Sequence, residues 1–252
     1  GGEKYSVLNY LSKVKALTVK DLQSVGKKYL TEKNRMIFTL MPEVETPKTD
    51  APKAAVSANV TAQQVIDNYA TALGGKSKLE AVKSVKTLST IKVMGMEMEA
   101  TTLEMAPNKS KAVQKIMGQE MVQVFDGEKG YMMQAGQRMD LPAPAIEEAK
   151  KKRLFEVLSY NPADFKTVEK VTEEGKELYL LAGAGKKLYF DTKTNLLVKS
   201  TSDKGDMVIL DYMEVDGIKF PKNLKLAMMG QNMEVTNNQV IVNKEVSAED
   251  FK

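Results

Sequence analysis

The sequence of 252 residues contains no cysteine, no histidine and no tryptophan. Without histidine, neither a Ser-His-Asp or Cys-His triad nor a histidine-ligated zinc site can form. Without cysteine, thiolate nucleophiles, iron–sulfur clusters, disulfides and cysteine-ligated zinc are excluded as well. A cysteine-free chain suits the bacterial periplasm and the cytosol equally. For an enzyme, only carboxylate, lysine, serine, threonine or tyrosine chemistry remains.

The charge is small and unevenly placed. The formal net charge of +4 falls within residues 1–60, and the remainder of the chain is balanced. Phosphate recognition needs a concentrated basic face, so nucleic-acid binding is not expected. No apolar run approaches the roughly 20 residues needed to cross a bilayer, so no transmembrane segment is expected. Apolar residues nevertheless make up 42% of the chain, which is enough for a sizeable core.

The first 60 residues divide into two parts. Residues 1–42 are predicted to form a helix, a second helix and a strand, because apolar residues recur at helical spacing in 7–14 and 22–30. Residues 43–60 are rich in Ala, Pro, Thr and Lys without a periodic apolar face. They are predicted to be a linker.

Residues 61–252 are predicted to form the main domain, in which the apolar period changes from helical to alternating. Helices are predicted at 61–73, 77–82 and 145–158, the first beginning with a capping pattern from Thr61 to Gln64. Strands are predicted at 87–94, 96–104, 111–117, 121–125, 130–134, 165–172, 177–181, 187–191, 197–202, 207–215, 218–228 and 233–242.

The fold class expected from this pattern is α+β and mainly antiparallel β. Hairpin signals such as Asp126-Gly127 and Asp216-Gly217 separate successive strands, which favours a meander of roughly ten strands with local turns. A sheet of that length usually curls into a barrel, open or closed, because curling manages its edges.

Methionine is unusually common, and 14 of the 16 residues fall between Met94 and Met233. One interpretation is ordinary core filling, since the flexible thioether fits irregular gaps. The other is an apolar cavity for varied ligands, because Met-rich surfaces can re-pack. The candidate lining residues of such a cavity are Met94, Met96, Met98, Met117, Met121, Met133, Met213, Met228 and Met233.

Candidate catalytic groups are few. Carboxylate pairs occur at Glu97/Glu99 and at Glu173/Glu174, and paired carboxylates can support glycosidase chemistry. Glu97 and Glu99 alternate with methionines, however, which is typical of the solvent face of an amphipathic strand. We therefore expect no catalytic residue, no metal site and no cofactor in this chain.

Motifs in the first segment carry a resemblance. They are a capped helix start at 17–23, the Lys-Tyr-Leu sequence at 28–30, and Asn34-Arg35 ahead of a strand that ends in Pro42. This order resembles the C-terminal, noncatalytic end of pitrilysin/insulinase-type zinc metallopeptidase domains. The resemblance implies that the chain is the C-terminal part of a longer peptidase-like protein. The family's inverted His-x-x-Glu-His motif is absent, so no catalytic residue is carried over.

The main domain carries a second resemblance. Its first helix ends at Gly74-Gly75, Phe125-Asp126-Gly127 precedes Gly130-Tyr131 within a long β meander, and the chain closes with residues 246–251. These features are similar to bacterial outer-membrane lipoprotein-sorting proteins of the LolA type. The resemblance implies an unclosed antiparallel barrel lidded by helices, with an apolar cavity for lipoprotein acyl chains. It also implies a location in the periplasm or cell envelope.

The leading hypothesis is a non-catalytic periplasmic binding domain for an apolar ligand, such as a lipid, an acyl chain or a lipoprotein. The alternative is an accessory region that positions substrates or subunits for a zinc metallopeptidase whose catalytic half lies upstream. A structural scaffold with a filled barrel is a third interpretation. The expected partners are accordingly the apolar ligand and an upstream peptidase domain.

Overall fold

A computed structural model describes most of the main domain. The described residues are 53–116, 118–228 and 230–252, with the backbone alone described for 53–57 and Ile116. The predicted helix-helix-strand unit at 1–42 lies outside these residues, as does most of the predicted linker at 43–60. The division of the chain into these units stays a prediction.

The described residues form one antiparallel sheet of fourteen strands. The strands are β1 Lys53–Ser57, β2 Ser84–Val93, β3 Met96–Met105, β4 Lys109–Ile116, β5 Gln119–Phe125, β6 Gly130–Gln134, β7 Gln137–Asp140, β8 Thr167–Glu173, β9 Lys176–Gly183, β10 Lys186–Asp191, β11 Leu197–Ser202, β12 Gly205–Val215, β13 Ile218–Met228 and β14 Gln231–Val242.

The sheet consists of two meanders. Strands β2 to β7 form the first and β8 to β14 the second, each strand pairing with the next along the chain. Strand β14 pairs with β2 and joins the meanders, while β1 pairs with β8. Strands β1 and β7 are the two edges, so the sheet of the described residues does not close. The predicted fold class, an unclosed antiparallel barrel with helices, is confirmed.

Two of the fourteen strands are absent from the twelve predicted strand ranges. Strand β1 lies within the predicted linker, and a ladder of backbone hydrogen bonds such as its pairing with β8 needs no apolar alternation in the sequence. Strand β7 has Met139 as its one apolar residue, and short polar strands are common at sheet edges. Neither strand therefore has the alternating pattern by which the other strands are recognised.

Three α-helices accompany the sheet in the described part of the chain: α1 at Ala62–Leu73, α2 at Lys76–Ala81 and α3 at Ala143–Lys151. Helix α1 begins with the predicted capping box. The Thr61 hydroxyl accepts the Gln64 N–H at 3.2 Å, and the Gln64 side-chain oxygen accepts the Thr61 N–H at 2.9 Å. These bonds satisfy two donors that a helix start leaves unpaired.

The single helix predicted at 145–158 is wrong. Helix α3 ends at Lys151, and a separate 3₁₀ helix follows at Glu156–Ser159. The Arg153 guanidinium donates to the Lys152 carbonyl at 2.9 Å, so a basic side chain satisfies a carbonyl group at the helix end. The break between the two helices allows Phe155 to pack against Phe220, with ring centroids 5.6 Å apart.

One face of the sheet carries the main apolar core. Helix α1 buries Val65, Ile66, Tyr69 and Leu73, and these side chains belong to the same cluster as buried strand residues such as Ile91. We call the side of the sheet that contributes to this cluster the core face, and the opposite side the outer face. The face on which a strand residue lies follows from its register, because side chains alternate.

Strands β2 and β14 form the seam between the two meanders. Side chains add to its backbone ladder: Ser89 Oγ donates to Asn237 Oδ1 at 2.7 Å, and Asn238 Nδ2 donates to Thr90 Oγ1 at 2.8 Å. At the end of the seam, Asn243 Oδ1 accepts the Lys83 N–H at 2.6 Å. The seam register is therefore fixed by polar side chains as well as by the ladder.

Candidate functional site

Six of the nine predicted lining methionines contribute to one apolar cluster. Met98, Met228 and Met233 are buried within it. The other three are half-buried and pack against the same cluster: Met96, Met121 and Met213. These six side chains come from β3, β5, β12, β13 and β14, so the structure brings together residues that are far apart in sequence.

Two of the other predicted residues, Met94 and Met133, lie outside this cluster. Met94 is 71% exposed, in the turn between β2 and β3, and Met133 is 38% exposed. Met94 follows the last strand residue and has a positive φ of 44°, so it belongs to the hairpin turn and not to a face. Met117 lies outside the described residues.

Sequence alternation could not separate Met132 from Met133, because two methionines stand side by side on β6. Register decides the matter: Met132 lies opposite Gln123, and it is only 2% exposed in the core cluster. Met139 and Met207 also pack against this cluster and are not among the nine predicted residues. The structure thus places further methionines in or against the cluster, beside the six predicted ones.

Three glutamines alternate with methionines on the core face of β4, β5 and β6. Gln114 lies opposite Met121, and Met121 lies opposite Gln134. Gln123, two residues beyond Met121, lies opposite Met132. Gln123 is therefore a diagonal neighbour of both Gln114 and Gln134, a relation in which cross-strand residues lie about 7–8 Å apart. Gln114 and Gln134 lie on either side of Met121. We call the three glutamines the glutamine diagonal.

The glutamine diagonal is withdrawn from solvent. Gln114 is fully buried and Gln134 is 6% exposed, while Gln123 is half-buried. Within the described part of the chain, neither amide atom of Gln114 has a hydrogen-bond partner, and the amide oxygens of Gln123 and Gln134 have none. Gln231, at the start of β14, is likewise buried with both amide atoms unpartnered there. Sequence reasoning missed all four, because glutamine usually indicates a solvent-facing position.

Aromatic side chains hold helix α1 on the core face. Tyr69 of α1 meets the ring of Phe190 edge-on, with centroids 5.2 Å apart. Beneath it, the hydroxyl of Tyr212 donates to the Leu197 carbonyl at 2.6 Å. Burial raises the pKa of Tyr212 well above its usual range, and the neighbouring Tyr69 and Tyr160 act in the same direction. The folded protein therefore strongly favours the neutral phenol at this position.

Replacing Tyr212 with phenylalanine is expected to change how stability depends on pH. An unfolded tyrosine has a pKa of about 10, so the neutral phenol makes its full contribution to the free energy of unfolding below pH 10. Above pH 10 it is lost at up to about 1.4 kcal/mol per pH unit. Tyr212→Phe should be about 1 kcal/mol less stable at pH 7, because the Leu197 carbonyl loses its donor. Above pH 10, the stability of Tyr212→Phe should fall less steeply than that of the wild type.

Urea unfolding of both proteins from pH 7 to pH 11.5 measures this difference. Equal slopes above pH 10 would show that the Tyr212 phenol is not held neutral by burial.

The carboxylate pairs lie away from the core face. Glu97 is exposed, and its carboxylate lies 3.4 Å from the ammonium of Lys92. The carboxylate of Glu173 lies 3.5 Å from the ammonium of Lys199. Among the described residues, no group of three or more potential ligands is placed to hold a metal ion. In the same part of the chain, no helix has the length and apolar character that crossing a membrane requires. The candidate functional site is therefore the core face, with its clustered methionines and its buried glutamines that lack hydrogen-bond partners within the described residues.

Comparison with known proteins finds a similar fold among solved structures. No protein-family model matches the sequence. No curated protein matches it significantly. A DUF1329 family protein from Desulfovibrio piger has a similar structure, with a TM-score of 0.50 and 7% identity over 76% of this chain and 97% of that one.

Two further solved structures are similar at lower scores. One is a candidate outer membrane lipoprotein-sorting protein domain from Vibrio parahaemolyticus, with a TM-score of 0.47 and 10% identity over 76% of this chain and 97% of that one. The other is LprF from Mycobacterium bovis, with a TM-score of 0.30 and 12% identity over 74% and 95%. Identities this low concern the fold alone, and the fold assignment rests on the DUF1329 protein.

Proposed function

We propose that this chain is a non-catalytic binding domain of the bacterial cell envelope that holds an apolar ligand against the core face of its open sheet. The observation that carries the proposal is the grouping of six predicted methionines, from five strands, in one apolar cluster that also includes buried residues of α1. The ligand would be a lipid, an acyl chain or the acyl chain of a lipoprotein. The envelope location and the lipoprotein cargo rest on the resemblance to LolA-type proteins.

The chemistry of the core face supports an adaptable apolar site. Methionine has an unbranched side chain with three rotatable bonds, so a surface built from it can take several shapes at similar energy. Strand β7 pairs with the sheet on one side only, which makes it an edge. A ligand can therefore reach the core face beside β7 without breaking the pairing between interior strands. An apolar chain that entered there would meet Met139 and then Met132, which lie opposite each other, with Met121 diagonal to Met132 on β5.

A fluorescent lipid probe tests the proposal. The wild-type chain should bind 1-N-phenylnaphthylamine, and palmitate should displace it. Met121→Glu should bind the probe at least about tenfold more weakly, because a carboxylate on the core face must lose its hydration when an apolar ligand covers it. Met94→Glu is the matched control: it adds the same charge at an exposed turn and should bind like the wild type.

Circular dichroism and thermal unfolding establish that both variants are folded before their affinities are compared. The proposal is contradicted if the wild type binds no probe and native mass spectrometry finds no retained apolar molecule. It is also contradicted if the Met94 and Met121 variants bind the probe equally well.

A further inference from the structure

The core face contains a polar feature that an apolar ligand alone does not explain. A buried amide without a hydrogen-bond partner destabilises a folded protein, and native proteins satisfy most such groups. The glutamine diagonal holds four amide atoms of this kind within the described residues: two of Gln114, one of Gln123 and one of Gln134. They lie on three adjacent strands and on the same face, so they form one group.

Gln114 and Gln134 belong to a row of residues that lie opposite one another across the sheet, and other polar residues at the end of this row do have hydrogen-bond partners. Gln134, Met121, Gln114, Ala100 and Ser89 follow one another across β6, β5, β4, β3 and β2. At its far end, Ser89 donates to Asn237, which itself donates to the Pro221 carbonyl at 2.7 Å. Buried polar groups on this face therefore can find partners within the sheet. Gln114 and Gln123 differ in that their neighbours in register are Met121, Met132, Ala100 and Ala112, none of which offers a strong hydrogen bond. Gln134 lies between Met121 and Gln137, and its amide oxygen still has no partner within the described residues.

We propose that the glutamine diagonal is the subsite for the uncharged polar group of an amphipathic ligand, the apolar part of which lies on the methionines. This inference rests on the proposed function and specifies its ligand. A primary amide offers one acceptor oxygen and two N–H donors, so three glutamines can pair with an ester, an amide or a hydroxyl group. The ligand class is therefore a neutral acyl ester or acyl amide with its polar group beside the chain.

Charge decides against an anionic head group at this position. The register neighbours of the glutamine diagonal on the core face are methionines, alanines and Gln137, without a cation among them. A buried carboxylate or phosphate needs a paired charge or several strong donors, and its desolvation is otherwise costly. A glyceryl ester carries no charge and fits the amides. A free fatty acid is expected to bind less tightly than a monoacylglycerol of the same chain length.

Competition against bound 1-N-phenylnaphthylamine tests this assignment with 1-decanoylglycerol and decanoate as competitors. The wild type should prefer 1-decanoylglycerol. Gln114→Met and Gln134→Met preserve the approximate size of the side chain but remove its hydrogen-bonding groups. Each should weaken 1-decanoylglycerol binding roughly three- to tenfold, the loss expected for one or two hydrogen bonds. Their affinity for the probe itself, which has no ester, should not change.

The matched control is Gln119→Met on β5, because Gln119 is exposed on the same strand that carries Gln123. It should bind both competitors like the wild type. Thermal unfolding gives an independent reading. Gln114→Met should raise the midpoint of the unliganded protein by roughly 2–4 °C, because an unsatisfied buried amide is removed. A residue with a purely structural hydrogen-bonding role would lower the midpoint instead.

The outcomes separate the two proposals. If the wild type binds neither the probe nor either competitor, both proposals are overturned. If the probe binds but the Gln114→Met/Gln134→Met double variant binds 1-decanoylglycerol as tightly as the wild type, the glutamine subsite alone is overturned. A wild type that binds decanoate at least as tightly as 1-decanoylglycerol also overturns the assignment to a neutral polar group. Weakened 1-decanoylglycerol binding with unchanged probe binding supports it.

Discussion

Replacing Met132 with alanine is expected to lower the free energy of unfolding by about 3 kcal/mol, within the range of roughly 2–5 kcal/mol for truncating a buried methionine. Met132 is 2% exposed and packs in the core cluster, so the substitution removes apolar contacts and leaves a cavity. The effect should be seen as a lower midpoint in urea unfolding with little change in slope, because the surface exposed on unfolding stays similar.

The adjacent methionine provides the control. Met133→Ala should change the unfolding free energy by no more than about 0.5 kcal/mol, since Met133 is 38% exposed on the outer face. The same residue type is thus truncated at two consecutive positions, and only the face differs. Equal effects at the two positions would mean that the register of β6 is wrong. A shift by one residue would reverse the order of the two effects.

Replacing Gly183 with alanine should destabilise the fold by about 3 kcal/mol, at the upper end of typical overpacking effects. Gly183 ends β9, and a Cβ atom there would overlap the backbone carbonyl of Asp164 and crowd Phe165. Backbone atoms cannot rotate away as a side chain can. Phe165 is buried and meets Tyr160 edge-on at 6.2 Å, so displacing this backbone also disturbs the aromatic contacts near α1.

Gly185, two residues away in the turn before β10, serves as the comparison. It has a φ of +76°, and no atom of another part of the chain lies within 4 Å of the position that an alanine Cβ would occupy. Alanine there therefore meets backbone strain without a clash, and that strain costs about 1 kcal/mol. Thermal or urea unfolding of the two variants should place Gly183→Ala well below Gly185→Ala. The close packing of the Asp164 backbone on β9 is incorrect if the two variants are equally stable.

Much of the sheet could be predicted from the sequence because strands with one wet face show their period directly. In β3, Met98 and Ala100 are buried while Glu97 and Glu99 are exposed, as alternation predicts. The turn at Asp126 could also be predicted from the local sequence, because the Asp126 side chain accepts hydrogen bonds from the N–H groups of Glu128 and Lys129, both at 2.8 Å. Local chemistry determines both features, so local sequence is sufficient.

The candidate site was less predictable, because its composition depends on pairing between strands. In β4 and β6 polar and apolar residues are mixed on both faces, so neither strand shows which side is buried. Gln114 and Met132 are assigned to the core face only through their partners on β5. The binding role of the nine predicted methionines stays a prediction, and the resemblance of residues 1–42 to a peptidase lies outside the described residues.

The seam between β2 and β14 has a consequence for how the chain reaches its native state. Within each meander, every strand pairs with its sequence neighbour, and such short-range hairpins form in microseconds. The seam instead joins Val85 to Val242, near the opposite ends of the described chain. Non-local pairing of this kind requires the entropy of loop closure before it yields contacts, and it slows folding.

Folding should therefore proceed as two early hairpin arrays that associate late at the seam; the pairing of β1 with β8 is non-local as well. Until β2 meets β14, both arrays expose an additional unpaired edge to other chains. Asn237 and Asn243 accept hydrogen bonds across the seam and therefore stabilise this association in its native register. A newly made chain is most vulnerable to aggregation in the interval before this last pairing is complete.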